Sequence, residues 1–179
     1  MAGMVLPDKD CIILKENTLL PLRILGIDPG SRHCGYGLLE LSGRKIIAAG
    51  ADVIHVDEKK PLPERLCIIY REMCKILDEY IPSAAAVESI FFGKNIQSVF
   101  TLGHARGVVL LALAEKGIPI IEYSPREIKK AVVGNGNASK QQIRYMITQL
   151  LPLTKTNLTS DAADALAIAL CHYNRNRFS

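Results

Sequence analysis

The chain has 179 residues, 49% of them apolar and 22% charged, which is enough apolar material for one sizeable core and excludes a disordered tail protein. Its net charge of +4 and pI near 8.8 permit a nucleic-acid partner without demanding one. Five cysteines, without a Cys-X-X-Cys pair, favour a reducing compartment over a disulfide framework or a zinc site, and no run of about 18 or more apolar residues announces a membrane span.

Residues 1–22 read as an N-terminal extension of unknown role, in which Cys11 to Leu14 is either an extra edge strand or disordered. Residues 23–175 carry the periodic elements of one domain. Arg23 to Ile27 is an apolar strand that ends at Asp28-Pro29-Gly30, where Pro29 stops the ladder and Gly30 turns the chain. Gly35 to Leu41 and Lys45 to Val56 are the next strands, joined by connections too short for helices, so the three form a meander. From Pro61 to about Tyr80 the apolar period changes to three and four residues, the mark of an amphipathic helix. Ala84 to Val87 is a short strand ending at Glu88, followed by a long helix from about Asn95 to Lys116. Ile118 to Ile121 is a strand that Pro119 assigns to a sheet edge. Ser124-Pro125 caps a short helix to about Val133, Gly134 to Asn137 is a flexible link, and Ala138 to Leu151 is helical again. An alanine-rich helix from Ser160 to Leu170, capped by Thr159 or Ser160, closes the series. This order predicts a small α/β fold with a mixed sheet.

Four carboxylates fall at element ends. If the first and fourth strands lie parallel and adjacent, Asp28 and Glu88 emerge together at the carboxyl edge of the sheet, where open α/β sheets bind ligands. Asp161 and Asp164 are three apart in the first turn of the last helix and share a face. Small residues at Ala162, Ala163, Ala165 and Ala167 allow that helix to approach the sheet closely. Singly, Asp28 is also a turn residue, Asp161 a helix cap and Glu88 a strand-end charge. Together they repel one another unless cations enter, and Mg²⁺ is the hard ion suited to a few carboxylates plus water and phosphate. Two such ions about 3.5–4 Å apart clamp the attacking and leaving oxygens of a phosphodiester. Basic residues gather nearby in sequence, with Arg126, Lys129, Lys130, Lys140 and Arg144 opposed by Glu127 alone, and a looser set at Arg32, His33, Lys94 and Arg106. Each single lysine also fits a plain solvated face.

Arg23-Ile-Leu-Gly-Ile-Asp-Pro-Gly30 with Gly35-Tyr-Gly37, Val87-Glu88 followed by Phe91, Leu102-Gly-His-Ala-Arg-Gly107, Val133-Gly-Asn-Gly136 with Ala138-Ser-Lys140, and Asp161-Ala-Ala-Asp-Ala-Leu-Ala-Ile-Ala169 resemble, in order, the motifs of the bacterial RuvC family of Holliday junction resolvases. The resemblance runs from Arg23 to about Tyr173. It implies a ribonuclease-H-like fold with a mixed five-stranded sheet flanked by helices, and residues 23–175 as the nuclease domain. It implies a cytoplasmic bacterial homodimer, nucleoid-associated when acting, that nicks four-way junction DNA in symmetric pairs at a short thymine-containing sequence and leaves 5′-phosphate and 3′-hydroxyl ends. Mg²⁺, with Mn²⁺ substituting, is the implied cofactor at two ions per site, and the RuvA and RuvB branch-migration proteins are the implied partners, with no membrane. Carried over residue by residue, the catalytic acids and metal ligands are Asp28, Glu88, Asp161 and Asp164. Phe91 is the aromatic that stacks on opened bases, with Phe92 as its support, and Lys129 and Lys140 handle DNA. Arg144, Arg32 and Lys94 are further candidate phosphate contacts.

Other classes stay open on the residues alone. An RNA–DNA hybrid nuclease of similar fold would use the same acids, a junction-binding module would carry them as structure, and an actin-like ATPase shares the Gly-Ile-Asp start but needs a second phosphate loop not seen here. The small residues Gly103 and Gly107 suit a helix packed on the sheet, whereas the family resemblance places that helix, with Ser98, Val99 and Leu102, in a dimer contact.

Overall fold

The computed structural model describes residues 21–89, 96–154 and 157–177; Cys11 to Leu14, Phe91, Phe92 and Lys94 lie outside the described residues. Three strands, β1 (Leu22–Asp28), β2 (His33–Ser42) and β3 (Lys45–His55), form the meander expected from their short connections. Then follow α1 (Leu62–Tyr80), β4 (Ala84–Glu88), α2 (Ile96–Glu115) and β5 (Ile120–Tyr123). The chain closes with α3 (Pro125–Val133), α4 (Lys140–Leu150) and α5 (Ser160–Arg177). The sheet order is β3-β2-β1-β4-β5, antiparallel across the meander and parallel for β1–β4 and β4–β5. It is mixed, as the element order implied, and five-stranded, as the family resemblance implied, and Pro119 does precede an edge strand.

Alternation along the strands splits the core into two layers. Leu25, Ile27, Leu38, Ala85 and Val87 point to the α1–α2 side, where Ile69, Met73, Val109 and Leu113 are fully buried. Ile24, Leu39, Ala49 and Ala86 point to the other side, onto α3, α4 and α5. Helix α5 is the centre of that layer. From Ala162 to Leu170 every residue except Asp164 is buried, so its sequence is apolar around its whole circumference.

Glycine on the sheet receives this helix. A Cβ built on Gly26 would stand 2.1 Å from the Ala165 carbonyl oxygen and 2.5 Å from the Ala169 nitrogen. One on Gly35 would meet the Asp161 carbonyl at 2.2 Å, and one on Gly37 the Leu166 nitrogen at 2.7 Å. Backbone therefore packs on backbone, with the alanines of α5 supplying the other half of the fit.

Four elements differ from the sequence expectation by two residues or more, each for a local reason. β2 starts at His33, because pairing with β3 continues outward and the Val56 N–H donates to the Arg32 carbonyl at 2.9 Å. β5 starts at Ile120, since Pro119 has no N–H, although its carbonyl accepts from Ala85 at 2.9 Å. α4 starts at Lys140, because Ser139 and Gln142 form a capping box: Ser139 Oγ accepts from the Gln142 N–H at 3.2 Å, and Gln142 Oε1 accepts from the Ser139 N–H at 2.8 Å. α5 continues to Arg177 instead of ending near Leu170, carried by polar anchors in its last turns. The Tyr173 hydroxyl donates to the Arg44 carbonyl at 2.7 Å. His172, 4% exposed, accepts at Nε2 from the Asn176 amide at 2.9 Å and faces the Tyr123 hydroxyl through Nδ1 at 2.8 Å, so burial holds it in its neutral form.

Gly26→Ala is expected to destabilise the fold by roughly 2–3 kcal/mol or to block folding, as overpacking against helix backbone does. Urea unfolding followed by circular dichroism measures it; a midpoint equal to that of the parent would refute the close backbone approach.

Candidate active site

Asp28 lies one step past the Ile27–Val87 register pair at the end of β1, and Glu88 lies at the same step of the parallel strand β4. Residues in register on neighbouring strands share a face and stand about 4.8 Å apart. That face is the α5 side, because Ile24, Gly26 and Asp28 alternate with Leu25 and Ile27. Thr159 begins α5: its hydroxyl oxygen accepts from the Ala162 N–H at 3.3 Å. This sets Asp161 and Asp164 in the first turns, directly over the glycines. Asp161 rests on Gly35, the register partner of Asp28.

Asp28 and Glu88 respond to burial and to the neighbouring carboxylates. Burial pushes the Asp28 carboxyl up to about 7, and the charges of Glu88, Asp164 and Asp161 add to the shift, with Lys140 opposing. Glu88 is raised by burial and by Asp164, with Lys140 and Lys129 pulling the other way. A cavity of about 280 Å³ opens between the acids and α3–α4. Asp28, Glu88 and Asp164 line it together with Lys129 and Lys140. Lys140, the first residue of α4 after the Ser139 cap, donates from Nζ to Asp164 Oδ2 at 2.8 Å, and that bond raises its own pKa. Lys129 reaches the wall from α3, whose start is fixed by a capping box between Ser124 and Glu127 and whose end turns at Gly134 with φ of 79°.

Arg106 was not singled out by sequence spacing beyond its place in a loose basic set. In the structure its Nε donates to the Glu88 carbonyl at 3.2 Å, and its Nη2 pairs with Glu122 at 2.5 Å, tying α2 to the ends of β4 and β5. It also lines a smaller cavity of about 120 Å³ with Asp28, Glu88, Ser89 and Leu102, so the two acids form a wall between two chambers. Arg144 is exposed on α4 and does not line either chamber, and Arg32 is exposed and paired with Glu58 at 2.9 Å. A further cavity of about 260 Å³, at the opposite end of the sheet beside Leu22, Ile24 and Tyr173, has no carboxylate among its lining residues.

The donor set suits a hard divalent ion. It consists of carboxylate oxygens, it is half-buried, and neighbouring carboxylates add to the raised pKa of Asp28 and of Glu88. As the side chains stand, no three His, Cys, Asp or Glu groups among the described residues converge closely enough to hold a metal ion, and the Lys140 ammonium is the positive charge on Asp164.

Residues 24–172 match the sequence model of the family described as crossover junction endodeoxyribonuclease RuvC. The chain belongs to this family. A member from Geotalea uraniireducens is 46% identical over 158 residues, 88% of this chain and 92% of its own length. Another, from Brucella anthropi, is 45% identical over 84% of this chain and 87% of its own. The solved Thermus thermophilus RuvC structure, 34% identical, superposes with a TM-score of 0.78 over 88% of this chain and 96% of that one, and the structure of that protein in complex with Holliday junction substrate gives 0.79. The fold is thus the ribonuclease-H-like fold of the family, whose enzymes use Mg²⁺ or Mn²⁺.

Asp28 also predicts a pH dependence. Its carboxyl is raised from 3.8 to about 7 on folding, so the metal-free folded state holds the proton more tightly than the unfolded chain. The stability this gives is complete below the unfolded value and is lost as pH rises through the folded one. With EDTA present, unfolding free energy is expected to fall on the order of 1–3 kcal/mol between about pH 4 and pH 7.5 through this group. Asp28→Asn is expected to flatten that slope and to exceed the parent in stability at about pH 7.5; denaturant titrations at several pH values showing parallel curves for both proteins would contradict it.

Proposed function

We propose that this chain is a structure-specific endonuclease that resolves four-way DNA junctions, with Asp28, Glu88, Asp161 and Asp164 as its catalytic acids and metal ligands. The observation that carries this reading is the shared cavity of about 280 Å³, lined by Asp28, Glu88 and Asp164 together with Lys129 and Lys140. Two divalent cations, Mg²⁺ or Mn²⁺, would be held by the acids and supply Lewis-acid activation of water and neutralisation of the departing 3′ oxygen. The protein's own groups do the rest. Lys129 and Lys140 bind phosphate oxygens of the strand and hold the scissile group toward the acid wall, contacts that position without reading sequence. Lys140 leaves Asp164 for phosphate as cations take over the carboxylates, so the ammonium remains paired in both states. Arg106, through the Glu88 carbonyl, keeps the end of β4 in place.

Paired nicks call for two sites related by a two-fold axis. Helix α2 supports a homodimer. Ile96, Phe100 and Leu111 are 72%, 62% and 52% exposed, and with Gly107, which has open space around it, they run at helical spacing along one face. By length and composition alone the helix is apolar enough to cross a membrane, with only 22% of it buried. A second copy of α2 would cover that stripe, so Gly107 faces the partner rather than the sheet. In the same reading Phe91, beyond the described residues, stacks on opened bases, with Phe92 as its support. Lys94, also outside them, contacts phosphate together with Arg144 and Arg32 at the rim. Residues 23–175 are the nuclease domain, and RuvA and RuvB deliver the junction to the enzyme at the bacterial nucleoid.

With Mg²⁺, labelled four-way junction is expected to be cut at opposed positions, while duplex and RNA–DNA hybrid are cut far more slowly. Asp28→Asn and Asp164→Asn are each expected to slow cutting by at least roughly 100-fold, equivalent to the few kcal/mol that metal chemistry supplies, with junction binding retained. Undiminished cutting by both variants would remove the acids from catalysis, and equal cutting of all three substrates would remove the junction specificity.

A further inference from the structure

His33 opens β2 and His55 closes β3, and the two are direct register partners across the antiparallel pair. Both are exposed. Their Nδ1 atoms face each other at 3.1 Å, with ring centroids 5.1 Å apart and planes inclined at 79°. One proton between the two nitrogens makes this a hydrogen bond. The same geometry fits another occupant. Zinc–imidazole bonds are about 2.0–2.1 Å long, and two of them ending on nitrogens 3.1 Å apart enclose roughly 95–102°. That is close to the angle between neighbouring ligands in tetrahedral or octahedral coordination. The ladder already holds both rings at this separation, so an ion would find the pair nearly assembled.

We propose that His33 and His55 chelate a borderline divalent transition-metal ion, Zn²⁺ in the first instance, at a site separate from the four carboxylates. Ligand chemistry sorts the ions: imidazole nitrogen suits zinc, nickel and copper, whereas the oxygen set of the acids suits magnesium and manganese. Binding uses neutral rings with the proton on Nε2. The ring that carries its proton on Nδ1 passes it through solvent to its own Nε2, so no net proton is lost from that ring. The placement gives the site a use. His33 is two residues before Gly35, the partner of Asp28, and strand alternation puts it on the acid-bearing face of the sheet, at the sheet end where β2 and β3 run on past β1. Arg32, the neighbouring cation, is paired with Glu58. An ion on the histidines keeps positions open to solvent on that face, and these take a phosphate oxygen of a strand running off the acid site.

Calorimetric titration of the full chain with Zn²⁺, in excess Mg²⁺ to fill the carboxylates, tests this. One zinc per chain is expected to bind in the parent and equally in Asp28→Asn, whereas His33→Gln and His55→Gln each weaken it at least tenfold. Because both rings are exposed, melting curves of the two glutamine variants should match the parent and confirm that they fold. Absence of zinc binding in the parent, affinity in the double variant within twofold of the parent, or loss of binding in Asp28→Asn would each overturn the assignment.

Discussion

Everything in the active site depends on how closely α5 lies against β1 and β2. At Gly26, Gly35 and Gly37 no side chain separates helix from sheet, and helix backbone atoms occupy the places where Cβ atoms would stand. A helix on a sheet with ordinary side chains between them stands about 10 Å away, as sheets do from each other. Here the first turn of α5 comes down onto Gly35 and so brings Asp161 and Asp164 to the strand ends that carry Asp28 and Glu88. The alanines of α5 complete the fit, and they also make that helix nearly featureless as a sequence. Stability and the placement of the acids use the same contact: the glycines that admit the helix set Asp161 over Gly35, the register partner of Asp28.

The meeting has an electrostatic cost. Asp28 is half-buried among the other three carboxylates, and it responds with a proton affinity far above that of a free aspartate. Lys140 offsets part of this through its bond to Asp164, held at the head of α4 by the Ser139–Gln142 capping box. In the proposed reading, cation binding by the acids and phosphate binding by the lysines share one circuit of charge, in which each positive group entering the site relieves a repulsion already present. A structural role for the acids would not call for such an arrangement, because buried like charges destabilise unless something binds to them.

Much of this was legible in the residues. Strand periods, the prolines and the spacing of Asp161 and Asp164 gave the elements and the acid face, and alanine content announced a close-packed last helix. The receiving glycines were visible as letters, but their role was not. Gly26, Gly35 and Gly37 come from two strands, and only the register aligns them under one helix. Arg106 was obscure for a similar reason, since its link to the Glu88 carbonyl joins a helix to a strand end through backbone, which leaves no side-chain pattern. The extent of α5 was underestimated because its last turns are polar, and their anchors on Arg44 and Tyr123 are distant in sequence. The histidine pair is likewise a product of β2–β3 register. In the sequence His33 stands out only as a member of the loose basic set, and His55 does not stand out at all.

The central claim is that the four acids form one electrostatic unit completed by divalent cations. Thermal melting with increasing Mg²⁺, at a pH above the raised value of Asp28, tests it without DNA. The melting temperature of the parent should climb with Mg²⁺, while Asp28→Asn should start higher without metal and respond weakly to it. A parent melting temperature indifferent to Mg²⁺, or an equal rise in the variant, would contradict the claim.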